Sequence, residues 1–74
     1  MTQDQIHKVC DLYTETLEDS TSERLMYVST MLPKMKQFED VEKAHRWLGF
    51  VQGVLWAEGI FTIDEMREHN RSKG

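Results

Sequence analysis

Apolar residues recur along this chain at spacings of three and four, with polar residues between them. That is the period of helices that each bury one face. Ile6, Val9, Cys10, Tyr13 and Leu17 predict a first helix from Gln3 to about Glu18, with Thr2 able to cap it. Leu25, Val28, Leu32 and Met35 predict a second, widened by Met31 and Phe38, and Ser20 and Glu23 have capping-box spacing ahead of it. Pro33 lacks a backbone donor and disfavours helix at Leu32, so the second helix is expected to kink near Ser29 to Leu32 or to break in two.

The third helix is the most legible. Asp40 can cap it, and Gly59 can stop it just after Ala57. Its apolar positions are Val41, Ala44, Trp47, Leu48, Phe50, Val51, Val54, Leu55 and Ala57, and they spread over roughly 200° of its circumference. So broad an arc predicts cover on two sides and a central, buried helix. A fourth helix follows at once, from Ile63 to about Asn70. Thr62 and Glu65 form its capping box, and Phe61 and Met66 stand at the staple positions. The expected fold is all-α: one small four-helix domain over residues 1–74, the other helices wrapped around the third, with residues 71–74 a frayed tail.

Composition narrows the class without naming a reaction. Seventy-four residues bury a smaller fraction of their surface than a longer chain does, so stability is marginal and association is a common remedy. Cys10 is the single cysteine, so no internal disulfide forms, which fits a reducing cytoplasm. The start, MTQDQIHK, is polar and unlike a secretory signal, and the stretch from Trp47 to Ala57 is too short to span a bilayer. The net charge of −4 resides wholly in residues 1–20, where Asp4, Asp11, Glu15, Glu18 and Asp19 outnumber Lys8; beyond them acids and bases balance. An acidic chain without a basic stripe suits neither duplex DNA nor an anionic membrane.

Two features suggest contact with a protein. Gly49 and Gly53 lie near the side of helix three opposite its apolar arc, with Trp56 adjacent. Each glycine costs a helix about 1 kcal/mol relative to alanine, so a close approach of another backbone is expected there. The plainer occupant is helix one or two of the same chain; the other is a partner chain, identical or foreign. Asp4, Asp11, Glu15 and Glu18 form an acidic ridge along about 21 Å of helix one. Its plain reading is a solvated face, and its functional reading is charge complementarity to a basic partner.

Other chemistry finds little support. His7 and Cys10, or Glu42 and His45, are pairs without the further ligands a zinc or di-iron site needs. Ser20, Ser22, Ser29 and Ser72 lack a nucleophile-elbow setting, and no phosphate or dinucleotide loop occurs, so neither an enzyme nor a cofactor is expected. The alternative is a helix-turn-helix-like nucleic-acid-binding regulator built on helices three and four. Asp64, Glu65 and Glu68 would oppose phosphates there, with Arg67, Arg71 and Lys73 offsetting them only in part.

The wording WLGFVQGVLW followed by FTIDEMREHNR, within Ala44 to Arg71, resembles small early-type accessory proteins of large tailed coliphages, among them reading frames near the phage dihydrofolate reductase gene. The resemblance covers a little over a third of the chain. It implies an intracellular product of infection that acts on a host protein in the host cytoplasm, and it transfers no residue role. The expectation is therefore a non-enzymatic protein-interaction module, forming a homodimer or binding a host factor. Gly49, Gly53 and Trp56 would supply an apolar seam, and Asp11, Glu15 and Glu18 would supply steering.

Overall fold

Four helices account for most of the computed structural model, which describes residues 2–71: α1 (Gln3–Thr16), α2 (Glu23–Lys36), α3 (Val41–Ala57) and α4 (Ile63–Asn70). The chain is all-α, as its hydrophobic period predicts. Residues 72–74 of the expected tail lie outside the described residues.

Local chemistry sets the helix ends. At α1 the Thr2 hydroxyl accepts from the Gln5 amide, and the Gln5 side chain accepts from the Thr2 amide. Thr62 and Glu65 repeat this reciprocal pair at α4. The Asp40 carboxylate accepts from the amides of Glu42 and Lys43 to start α3. That helix ends in a Schellman turn. Gly59 has φ +74°, its amide donates to the Trp56 carbonyl, and the Ile60 amide donates back to Leu55.

Three expectations change. α1 stops at Thr16 rather than Glu18; Leu17 follows as the cap and turns its side chain into the core. α2 begins after Ser22, not Ser20. The Ser22 hydroxyl donates to Glu58 Oε1 at 3.2 Å, which ties the start of α2 to the end of α3 instead of closing a capping box. Nor does Pro33 break α2, which runs unbroken through it. Buried Val28, Leu32 and Met35 lie on both sides of that position, so packing holds the helix in register across the lost hydrogen bond.

One core joins the elements. Ile6, Val9, Cys10, Tyr13 and Leu17 meet Leu25, Val28, Leu32 and Met35, and both sets meet Ala44, Leu48, Val51 and Leu55. α2 packs extensively on both α1 and α3, and α4 rests on α1. Leu48, Val51 and Leu55 of α3 are buried as its pattern requires. The broad arc is covered along one side only, however. Trp47 and Val54 near its middle are half-buried, and Phe50 and Ala57 at its open edge are exposed. A helix with two principal neighbours hides about a third of its circumference, so the outlying apolar positions reach solvent.

Candidate protein-binding surface

α3 turns a trough outward. At about 100° per residue, Gly49 and Gly53 fall between Phe50 and Trp56. Phe50 is 53% exposed and Trp56 is 56% exposed, so two aromatic rims flank a floor of backbone. A Cβ added to Gly49 or Gly53 would meet nothing within 4 Å. The expectation that helix one or two fills this groove is thus overturned. Both helices pack mainly on the far side of α3, where its buried residues lie, and α2 reaches only the Phe50 edge of the trough.

The rim continues onto α2. Tyr27, 62% exposed, meets the Phe50 ring edge to face at 6.5 Å and 81°. Arg24, Phe50, Gly53, Val54 and Ala57 line a shallow hollow beside this pair. Trp56 lines a second hollow with Ile60, Phe61 and the start of α4, including exposed Ile63.

The acidic residues sit elsewhere. Asp11, Glu15 and Glu18 edge a hollow of about 590 Å³ between α1 and α2, floored in part by Leu17 and Met26. Asp11 is not wholly free for a partner, because it accepts from Lys36 Nζ. That bond is the main reason the Lys36 ammonium is pushed above its usual range. Glu15 and Glu18 are exposed and enter no ion pair among the described residues. The acidic hollow and the glycine trough therefore do not merge. α2 lies between them, with Met26 in the acidic hollow and its sequence neighbour Tyr27 against Phe50.

Sequence reasoning missed Tyr27 and Phe50. Phe50 was counted into the core because it fits the apolar arc; its place at the extreme of that arc was the available signal. It also missed Gln52, which is buried in α3 between α1 and α4. The Gln52 Nε2 group donates to the Tyr13 hydroxyl at 2.9 Å and to Asn70 Oδ1 at 2.8 Å, while Asn70 Nδ2 donates to Gln52 Oε1 at 3.0 Å.

The residues weighed for metal or thiol chemistry have structural partners. His7 Nε2 is bonded to the Lys36 carbonyl at 2.9 Å, where the ring nitrogen donates. Cys10 is fully buried, and burial pushes its thiol up to about 11, so almost no thiolate is present near neutrality. Among the described residues, no three His, Cys, Asp or Glu side chains cluster as metal ligands, and no helix is long and apolar enough to cross a membrane.

Comparison with known proteins adds no relative: no family model, curated protein or solved structure matches this chain.

Proposed function

We propose that this chain is a non-enzymatic protein-interaction module whose contact surface runs across the outer faces of α2 and α3. The observation that carries this reading is the aromatic face of Tyr27, Phe50 and Trp56, more than half exposed beside two glycines whose Cβ positions no described residue approaches within 4 Å. Burying each ring under a partner would remove on the order of 100 Å² of apolar surface and contribute about 2–3 kcal/mol. The occupant we assign is an amphipathic helix of a partner protein. Its apolar ridge lies along Gly49 and Gly53 between Phe50 and Trp56, and its basic flank reaches across α2 toward Glu15 and Glu18. The glycine floor favours a helix, because a backbone can come close where no Cβ intervenes. The acids speed encounter with a basic partner more than they tighten the complex. A host protein is the partner that the coliphage resemblance would imply, with steric occlusion as the mode of action.

The test is paired capture from cell lysate. The wild-type chain is expected to recover a partner that a Tyr27→Ser, Phe50→Ser, Trp56→Ser variant loses while keeping its helical circular dichroism. Glu15→Lys with Glu18→Lys should slow association at low salt and lose that effect at high salt. Equal recovery by the wild type and the aromatic variant would overturn the reading. Light scattering identifies the other occupant: a mass near twice 8.8 kDa at micromolar concentration would make it a second copy of this chain.

A further inference from the structure

α4 is held to the body of the protein by a short chain of polar groups. The Tyr13 hydroxyl, buried in α1, lies 2.7 Å from His69 Nδ1 in α4. Gln52 of α3 donates to the same hydroxyl, so the hydroxyl accepts from Gln52 and its own proton points to His69. His69 is therefore neutral, with Nδ1 as acceptor and the proton on Nε2. The Phe61 ring closes over the pair. It stands edge-on to His69 at 4.7 Å and tilted against Tyr13 at 5.4 Å. The Tyr13 hydroxyl proton and the Gln52 amide protons each have an acceptor.

A second proton on His69 breaks that pattern. Nδ1–H would have to donate to the Tyr13 oxygen, which already accepts from Gln52. In this arrangement the phenolic proton would then have no acceptor among the described residues, because Tyr13 is fully buried, Gln52 presents its amide donor to it, and the Gln52 oxygen is taken up by Asn70. A buried donor left unmade is destabilising.

We propose that the Tyr13–His69 hydrogen bond is a proton-sensitive latch, and that protonating His69 releases α4 from α1 and α3 while the three-helix core stays folded. α4 has eight residues, too few to persist as an isolated helix, so release and local unfolding are one event. It uncovers Tyr13, Phe61 and Met66 and dismantles the wall of the hollow that Trp56 lines.

Charged groups of both signs surround His69. Glu65, one turn earlier on α4, favours the imidazolium, and Glu68 stands in the same hollow. Lys8 from α1 and Arg71 after α4 line that hollow as well and oppose it. From α3 the neutral Gln52 bonds the Tyr13 hydroxyl that faces His69. Burial is the largest influence and holds the imidazole below its ordinary 6.5. The unfolded segment therefore takes up the proton first. Closure is complete above about pH 6.5 and weakens as the pH falls toward the lowered value in the folded state.

Amide hydrogen exchange of the intact chain between pH 7 and pH 5, corrected for intrinsic rates, tests this. Protection at Met66 to Asn70 should fall several-fold while that of α1 to α3 holds, and the His69 ring should titrate below 6.5. In His69→Gln, which keeps an acceptor for Tyr13 but cannot titrate, α4 protection should be flat with pH. Tyr13→Phe is a second probe: it removes the hydroxyl, so α4 protection should be low already at pH 7 and should no longer fall steeply. Wild-type α4 protection that is unchanged at pH 5, or an equal fall in His69→Gln, would overturn the latch.

Discussion

At the scale of single residues, the least replaceable positions are those whose backbone or burial admits one chemistry. Gly59 is such a position. Its φ of +74° lies where an L side chain is strained, although open space surrounds it. Gly59→Ala is expected to cost about 1 kcal/mol, read as a lower urea midpoint with an unchanged slope. The glycine was readable from sequence because a helix stop directly before a capping box leaves few ways to turn the chain. Gln52 was not readable. Its polarity marks it for solvent until α4 folds back and supplies Asn70 as its amide partner.

At the scale of helices, the question is what the two α3 glycines are for. If they admitted a neighbour from the same chain, an added methyl would collide. The structure leaves both open, so only the propensity term remains. Gly49→Ala and Gly53→Ala are each expected to stabilise the protein by up to about 1 kcal/mol, seen as a higher thermal midpoint, and to weaken partner capture. Loss of stability would mean that the glycines serve a packing role within the chain. Capping was legible wherever side chain and backbone are three residues apart, as at Thr2, Asp40 and Thr62. It was misread at Ser20, since Ser22 is bonded to Glu58, 36 residues further along.

For the whole molecule, one core supports three helices and a lightly held fourth. A domain this small has roughly 5 kcal/mol to lose, and truncating a buried leucine costs about 2–5 kcal/mol. Leu48→Ala should therefore leave little folded protein at 37 °C. Phe50→Ala, equally apolar and only two residues away, should change stability by no more than about 0.5 kcal/mol by urea titration. The contrast separates the buried side of α3 from the side offered to a partner. The hollows follow the same division: the acidic one belongs to the α1–α2 seam and the aromatic one to the α2–α3 seam.

The sequence by itself determined the helices, most of their caps and the inward residues of each, because hydrogen bonding along a helix and the period of its buried face are local. It also determined that Gly49, Gly53 and Trp56 share a side of α3. Tertiary structure alone decided that this side stays bare, that Phe50 falls outside the core, that α2 survives Pro33, and that Tyr13, Gln52, His69 and Asn70 meet. Those outcomes depend on which faces of different helices are brought together, and a one-dimensional pattern gives the width of an apolar arc without saying how much of it a neighbour will cover.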